Sequence, residues 1–267
     1  MSKIVFFDVD GTLVGETKEI PASAKQAIAK LKENGVYVAI ATGRGPFMLD
    51  EIRKELDINS YICYNGQYVI FEGKEIYAKP LPTESLERLI TVASEHEHPI
   101  VFSGKDSMRA NLPDHDRVTI GMDSIKRDYP KVDANYYKGR DIYQCLLFCD
   151  ESYDAYYREE FKQYGFLRWH DVSVDVCPAD GSKAEGIKQM IKKLGFSMED
   201  TYAFGDGLND IAMLQAVGTG VAMGNGRDEV KAVADYVTDH VDEDGVYKAL
   251  EQFKINLKYQ KSLCSKN

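Results

Sequence analysis

Long hydrophobic runs are absent from the 267-residue sequence. The apolar stretch at residues 4–7 ends at Asp8, whereas a membrane-spanning helix needs about 20 apolar residues in succession. No other stretch approaches that length, so we expect neither a membrane span nor a signal peptide.

Positive charge is also in deficit. The 33 Lys and Arg residues face 43 Asp and Glu residues, which gives a formal net charge of −10. Proteins that coat nucleic acid or anionic membranes need basic surfaces, so this balance argues against both kinds of partner. A small anionic substrate is compatible with it, because such a substrate responds to local charge in a cleft. With 44% apolar and 28% charged residues, the composition excludes collagen-like and mostly disordered chains.

Cysteine and histidine are scarce and show no metal-binding spacing. The five cysteines are odd in number and form no Cys-x-x-Cys pair, so we expect free thiols in a reducing cytoplasm. They are Cys63, Cys145, Cys149, Cys177 and Cys264. We interpret the five histidines as structural or surface groups; they are His96, His98, His115, His170 and His240. His96 and His98 would face apart on a helix. The glycines at 218, 220 and 224 do not give the dinucleotide fingerprint, so no nucleotide cofactor is expected.

Short apolar runs alternate with helical patterns, which is typical of α/β proteins. The apolar runs predict buried parallel strands at 4–7, 36–41, 61–64, 202–204 and 220–223. A capping-box pattern at Ser23 and Gln26 predicts the start of a helix that ends at Gly35. Ser182 and Glu185 predict the start of another, which ends at Gly195. Further helices are predicted at 208–215, 227–234 and 245–253, and the last dozen residues are expected to fray.

The middle of the chain has a different pattern. It predicts helices at 83–95 and 151–164, a hairpin at 99–103 and 107–112, and strands at 142–149, 166–170 and 173–177. This mixture is typical of a separate α+β module, and the turn-rich segments 79–82 and 178–181 are the predicted hinges. We therefore predict a core built from 1–81 and 181–267, interrupted by an inserted domain at 82–180.

Polar residues follow the first predicted strand in the order Asp8-Val9-Asp10-Gly11-Thr12. Two carboxylates two residues apart at the end of a strand can point to the same side, toward one metal ion or substrate. Open α/β sheets bind ligands at such carboxyl ends. An acidic strand–turn junction is the structural alternative for Asp-x-Asp alone, and the full five-residue pattern is much more specific.

Two cationic or hydroxyl-bearing segments are candidates for holding an anion. At 41–46, free N–H groups of Gly43 and Arg44 could face an anion beside the Thr42 hydroxyl, with Pro46 in the first helical turn. Lys183 lies at the start of a capped helix, where the helix dipole disfavours a cation. A plain connection and a solvated lysine are the structural alternatives.

The segment 205–210 brings further acids to the end of another predicted strand. Asp206 and Asp210 add carboxylates, and Asn209 adds a neutral donor. Such a set suits one chemistry: a carboxylate attacks phosphorus, Mg²⁺ binds to oxygen ligands, and cations with N–H groups neutralise the phosphoryl oxygens. A second carboxyl can protonate the leaving oxygen.

These four segments, in this order, resemble the motifs of the haloacid dehalogenase-like superfamily, and specifically of its Cof-like phosphatases. Asn65-Gly66 and Gly181-Ser182-Lys183 are also similar to that subfamily. The resemblance covers essentially the whole chain. It implies a Rossmann-like, doubly wound parallel sheet in three α/β/α layers. It also implies a cap between the second and third motifs, where 141 residues separate Thr42 from Lys183.

The resemblance implies a role for each motif residue. Asp8 would be the nucleophile and a Mg²⁺ ligand, and Asp10 the general acid/base, with its main-chain carbonyl on the metal. Asp206 would be the third protein ligand, and Asp210 would support the metal from close by. Lys183 is expected to act in catalysis and to hold the phosphate. The other expected phosphate-binding groups are the Val9 amide, Thr42, Gly43 and Asn209.

The leading hypothesis is a cytoplasmic, Mg²⁺-dependent phosphatase acting on a small phosphorylated metabolite, such as a sugar phosphate or a phosphorylated cofactor. Two alternatives remain: a phosphohexomutase with the same core, and a non-catalytic protein that binds phosphate or metal. We expect no nucleic-acid or membrane partner, and a monomer or a weak homodimer. In the cap, Arg109, Asn111 and Tyr143 could reach a substrate, although exposed cap residues are the simpler interpretation.

Overall fold

A computed structural model describes residues 3–255 and contains two separate β-sheets. The larger sheet consists of eight strands. They are β1 (Ile4–Phe7), β2 (Tyr37–Ala41), β3 (Tyr61–Cys63), β4 (Tyr68–Phe71), β5 (Lys74–Ala78), β11 (Thr201–Gly205), β12 (Thr219–Ala222) and β13 (Tyr236–Val237). The helices beside this sheet are α1 (Ala22–Glu33), α2 (Asp50–Leu56), α6 (Lys183–Leu194), α7 (Ile211–Ala216), α8 (Asp228–Lys231) and α9 (Gly245–Gln252).

The strand order of this sheet is β13-β12-β11-β1-β2-β3-β4-β5. The first six strands in that order run parallel, and β4 and β5 extend the sheet as an antiparallel hairpin. Strand β1 is buried over its whole length because helices cover both faces. Val5 and Phe7 pack among residues of α1 and α9, whereas Ile4 and Phe6 pack among residues of α6 and α7. The predicted three-layer, doubly wound core is confirmed.

The smaller sheet lies between β5 and α6 in the chain. It contains β6 (Ile100–Gly104), β7 (Met108–Ala110), β8 (Ile142–Leu147), β9 (Tyr164–His170) and β10 (Ser173–Pro178). All neighbours are antiparallel, in the order β7-β6-β8-β10-β9. Helices α3 (Thr83–Glu95) and α5 (Asp154–Glu160) pack on one face, and α4 (Asp116–Ser124) packs on part of the other. The rest of that second face is turned toward the core.

Two segments connect the sheets, 79–82 before the smaller sheet and 178–181 after it, and they lie next to each other. Lys79 Nζ lies 2.5 Å from Asp180 Oδ2, and the Leu81 N–H donates to the Ile142 carbonyl at 2.7 Å. Every helix and strand of the smaller sheet's unit falls between residues 83 and 178. The domain boundaries after 81 and 180 stay a prediction.

Several local predictions are wrong. Helix α1 begins at Ala22 after Pro21, and the Ser23 hydroxyl is buried without a hydrogen-bond partner among residues 3–255, so the capping box does not form. The predicted helix at 151–164 is only α5 preceded by a single 3₁₀ turn, because Tyr164 pairs with β10 and packs in the cap core. The predicted helices at 208–215 and 227–234 are likewise shorter, and α2, α4, β4, β5 and β13 were not predicted.

Other local predictions are confirmed. The Ser182 hydroxyl accepts the Glu185 N–H at the start of α6, and Gly195 ends that helix in the left-handed region. The hairpin of β6 and β7 lies where the pattern placed it. The predicted fraying of the last dozen residues and the Cys264 thiol lie outside the described residues. Within residues 3–255, no helix combines the length and the apolar character needed to cross a bilayer.

Candidate active site

The carboxyl ends of β1, β2 and β11 converge at one edge of the large sheet. Strand β1 lies between β11 and β2, so Asp8 has Thr42 on one side and Asp206 on the other. The chain adds strands to one side of β1 first and to the other side later, which makes this edge the switch point of the sheet. Ligands of open α/β sheets bind in that crevice.

Lys183 is buried completely and bridges two carboxylates. Its Nζ lies 2.6 Å from Asp8 Oδ1 and 2.7 Å from Asp210 Oδ1. The Ser182 cap fixes the first turn of α6, which points Lys183 across the end of the sheet. Both carboxylates offset the unfavourable helix dipole and the cost of burying the ammonium group.

Asp210 also fixes the loop that carries Asp206. Its Oδ2 accepts the N–H groups of Asp206 and Gly207 at 3.0 and 2.9 Å. The Thr12 hydroxyl donates to Asp206 Oδ1 at 2.8 Å, which ties this loop to the one after β1. Gly11 has a φ of +82°, and a Cβ there would lie 2.1 Å from Asp206 Oδ2. Glycine is therefore required at this close approach.

Three carboxylates form an oxygen-rich cluster that fits a divalent cation. One oxygen each from Asp8, Asp206 and Asp210 lies within 4.8 Å of the others. Burial raises the pKa of Asp8 to about 8; Lys183 opposes this rise, and the two neighbouring carboxylates add to it. Burial likewise raises the pKa of Asp206 to about 6, against the Thr12 hydrogen bond. Carboxylate oxygens are hard ligands of the kind that Mg²⁺ prefers.

The Asp10 side chain is held apart from this cluster. Arg44 donates from Nε to Asp10 Oδ2 at 2.8 Å and from Nη2 to Oδ1 at 2.6 Å, and Lys18 Nζ lies 3.4 Å from Oδ1. Burial raises the pKa of Asp10, but the hydrogen bonds and charge of Arg44 and Lys18 outweigh it and hold the pKa below its usual value. The Arg44 N–H, which was expected from the sequence to be free for an anion, donates instead to the Thr42 hydroxyl at 3.1 Å.

Asn65 connects two of the candidate phosphate ligands, Thr42 and Asn209, by hydrogen bonds. It follows β3, has a φ of +50°, and its N–H donates to the Thr42 carbonyl at 3.1 Å. Its Oδ1 accepts the Asn209 amide at 3.2 Å. A Cβ on Gly43 would lie 3.2 Å from the Asn65 amide nitrogen, so glycine allows this approach. Val9 is buried, which leaves only its main chain to face the site.

A cleft of about 740 Å³ separates this edge from the smaller sheet. The core side is lined by Asp8, Asp10, Thr42, Gly43, Arg44 and Asn209. The cap side is lined by Ser103, Met108, Gln144, Leu146, Trp169, Asp175 and residues 124–127. Such a volume is typical of a pocket for a small molecule.

None of the cap candidates from the sequence lines this cleft. Arg109 lies over the ring of Tyr136 at 5.3 Å. Asn111 Oδ1 accepts the Ile100 N–H at 2.8 Å and closes the end of β6. Tyr143 is buried against core aromatic rings. Each side chain is therefore already engaged within the protein.

The histidines also lie away from the cleft. His98 is buried and its Nδ1 lies 2.8 Å from the Tyr157 hydroxyl; burial lowers the pKa of His98 to about 4. Because α3 ends at Glu95, the rings of His96 and His98 do not face apart but lie 5.8 Å from each other. The other histidines accept nearby main-chain N–H groups; these are His115, His170 and His240.

Sequence reasoning missed several side chains at the site. Arg44 was singled out only for its main chain, although it pairs with Asp10. Asn65 was noted only for its similarity to the subfamily and was given no role at the site, although it follows a strand at the same edge. Gln144 and Asp175 are polar residues inside otherwise apolar strand patterns, an unusual position that could have marked them. Nothing in the pattern around Trp169 indicated its contact with the cleft.

A sequence model of the haloacid dehalogenase-like hydrolases matches residues 5–250. The chain belongs to this family. Its four motifs lie at the strand ends and helix start described above, and the predicted family is thereby confirmed.

Similar proteins span nearly the whole chain. The putative phosphatase YkrA of Bacillus subtilis is 50% identical over 252 residues, which cover 94% of this chain and 97% of YkrA. A hypothetical protein from Geobacillus kaustophilus, solved as a crystal structure, has 52% identity and a TM-score of 0.92, covering 96% of this chain and 100% of that one. The sugar phosphatase BT4131 has 31% identity and a TM-score of 0.83, covering 95% and 100%.

Proposed function

We propose that the chain is a Mg²⁺-dependent phosphatase that hydrolyses a small phosphorylated metabolite through an aspartyl-phosphate intermediate. The observation that carries the proposal is the position of Asp8. It lies at the switch point of the sheet, lines the cleft, and is held by a buried lysine beside two further carboxylates. Membership of a hydrolase family and relatives named as phosphatases support the same activity.

Asp8 is the proposed nucleophile. Lys183 engages Oδ1 at 2.6 Å, which orients the carboxylate toward the cleft and favours its ionised form. Its attack forms an O–P bond and breaks the bond between phosphorus and the leaving oxygen. Lys183 stays beside the reacting group, where its charge stabilises the transferring phosphoryl oxygens.

Asp8, Asp206 and the main-chain carbonyl of Asp10 would hold the metal, with Asp210 supporting it. When bound, Mg²⁺ supplies positive charge next to the phosphoryl oxygens. The Thr42 hydroxyl, the amides of Val9 and Gly43, and Asn209 would bind the remaining oxygens.

Asp10 is the proposed general acid and base. It gives a proton to the leaving alkoxide and then takes one from the water that attacks the aspartyl-phosphate, which releases phosphate and restores Asp8. Because the Arg44 pair favours ionised Asp10, the guanidinium must release one carboxylate oxygen before Asp10 can donate.

The proposed substrate is a sugar phosphate or a phosphorylated cofactor. The cleft has the size of a small-molecule site, and BT4131 is named as a sugar phosphatase. The proposed location of the protein is the cytoplasm. The four described cysteines are unpaired thiols, which supports this location.

The test is phosphate release from a panel of phosphorylated metabolites with Mg²⁺ or with chelator. We expect release that requires Mg²⁺ and disappears in Asp8→Asn, while the circular dichroism spectrum is unchanged. Conversion of a hexose phosphate into its isomer without free phosphate would instead indicate a mutase. Turnover that persists in Asp8→Asn would refute the proposal that Asp8 is the nucleophile.

A further inference from the structure

One face of the cap sheet presents polar groups to the cleft. Ser103 of β6 lies opposite Gln144 of β8, and Leu146 of β8 lies opposite Asp175 of β10. Directly opposite residues share a face of an antiparallel sheet, and so do residues two apart on one strand. These four residues therefore stand on the same face, and all four line the cleft.

Gln144 has an unsatisfied acceptor on this face. The side chain is only 5% exposed, and its Oε1 is buried without a hydrogen-bond partner among residues 3–255. A buried acceptor left unpaired is unfavourable, because it has lost its hydrogen bonds to water without gaining another donor. Because Gln144 lines the cleft, a ligand that donates a hydrogen bond can remove this cost.

Asp175 is a second polar group without a neutralising partner. It forms no ion pair within the described part of the chain, and burial raises its pKa to about 7. The indole N–H of Trp169, on the neighbouring strand, opposes that rise. Trp169 lines the same side of the cleft, so an aromatic surface lies beside the two polar groups.

The spacing of these groups limits the ligand. Gln144 and Asp175 are diagonal neighbours across β8 and β10, a relation that places residues about 7–8 Å apart. A group with one hydroxyl can satisfy only one of them. A chain or ring with several hydroxyls can donate to both and can also lay its C–H surface on the indole.

We propose that this face is the leaving-group subsite and that it selects polyhydroxylated phosphate esters, with Gln144 and Asp175 hydrogen-bonded to hydroxyl groups beside Trp169. The proposal rests on the proposed phosphatase function. A hydrophobic leaving group would leave the Gln144 acceptor unpaired, and one with a single hydroxyl could donate to only one of the two side chains.

The first experiment compares kcat/KM for sorbitol 6-phosphate, pyridoxal 5′-phosphate and p-nitrophenyl phosphate. We expect Gln144→Met and Asp175→Ala each to lower kcat/KM for sorbitol 6-phosphate about tenfold, mainly through KM, since tenfold corresponds to about 1.4 kcal/mol, the size of one hydrogen bond. Hydrolysis of p-nitrophenyl phosphate should stay within about twofold. Gln163→Met, an exposed cap glutamine, is the matched control and should change neither.

Equal losses on sorbitol 6-phosphate and p-nitrophenyl phosphate would show that Gln144 and Asp175 act structurally, and would overturn the subsite. A wild-type preference for pyridoxal 5′-phosphate, unaffected by Gln144→Met, would overturn it too.

A binding measurement separates this subsite from the catalytic proposal. In an Asp8→Asn background with Mg²⁺, calorimetry should show that Gln144→Met weakens sorbitol 6-phosphate binding about tenfold and that Gln163→Met does not. Unchanged affinity in Gln144→Met would refute the subsite. Weakened affinity, with no hydrolysis of any ester by the wild type, would refute the phosphatase and leave the subsite standing.

Discussion

Lys183 Nζ lies 2.6 Å from Asp8 Oδ1, although 175 residues separate them in the chain. The pair brings the start of α6, which follows the inserted cap in the chain, to the end of β1, the first strand. Together with Asp210 it forms the only ion-pair network among residues 3–255 in which every side chain is at least nine-tenths buried.

Removal of Lys183 should impair both stability and catalysis. Lys183→Met leaves two buried carboxylates without their cation, so we expect a loss of about 3–5 kcal/mol in the free energy of unfolding. We also expect kcat to fall at least about 100-fold, because a charge on the transferring group is lost. Urea unfolding and steady-state kinetics measure the two effects. Lys188→Met, on the exposed side of the same helix, should change neither; equal effects from both substitutions would contradict this role.

Mg²⁺ should stabilise the folded chain. A ligand that binds only the folded state adds RT ln(1 + [L]/Kd), or about 2.7 kcal/mol at 100 times Kd. We expect Mg²⁺ to raise the melting temperature of the wild type and to have much less effect on Asp206→Ala. Differential scanning calorimetry measures this without any substrate. An equal Mg²⁺ effect in both proteins would remove Asp206 from the metal site.

The effect of replacing Asp10 on kcat should depend on the leaving group. An alkoxide needs a proton as it departs, whereas p-nitrophenolate needs little protonation. Asp10→Asn should therefore reduce kcat for a sugar phosphate about 100-fold or more, and kcat for p-nitrophenyl phosphate much less. Rates on the two esters give the comparison directly. Equal losses on both would argue against acid catalysis by Asp10.

Tyr143 should hold the cap against the core. Its ring stacks on Tyr64 at 5.8 Å and lies 5.1 Å from the Tyr68 ring. Tyr143→Ala should cost about 3–5 kcal/mol of unfolding free energy and should speed proteolysis at the predicted hinge 178–181. Tyr143→Phe should cost little, and so should Tyr156→Ala, at a ring that is 42% exposed. Urea titration and limited proteinase K digestion test the prediction, which fails if Tyr143→Ala resembles Tyr156→Ala.

Asp175 should make stability depend on pH. Its pKa is raised from 3.8 to about 7 in the folded protein. Below pH 3.8 the carboxyl is protonated in both states, so this shift has no effect on the free energy of unfolding there. The cost of the shift grows as the pH rises toward 7, because only the unfolded chain ionises freely there. Asp175→Asn should therefore be more stable than the wild type by about 1–2 kcal/mol at pH 8, and by much less at pH 4. Urea midpoints at both pH values measure this difference; a gap that is constant with pH would contradict the shift.

The core could be predicted from the sequence because its signals are local. An apolar strand followed by polar residues identifies a carboxyl end, and parallel strands bring such ends together. This was enough to bring Asp8, Thr42 and Asp206 to one edge. The capping pattern at Ser182 placed Lys183 at the first turn of α6, although its two partners could not be identified from that pattern.

The failures have physical causes that lie in tertiary structure. The predicted helix at 151–164 stops early because Tyr164 gains more from pairing with β10 and from burial in the cap core than from another helical turn. Ser23 matches a capping pattern, but Pro21 is the N-cap, so the helix starts two residues earlier than that pattern predicts.

The sequence by itself determined the family, the α/β core and the residues of the four motifs, because each depends on neighbours a few positions apart. Only the tertiary structure decided that Arg44 holds the Asp10 carboxylate, that Asn65 links Thr42 to Asn209, and that Gln144 and Asp175 face the cleft. These relations depend on strand register and on the approach of the cap to the core. Both are set by packing between segments that are distant in the chain.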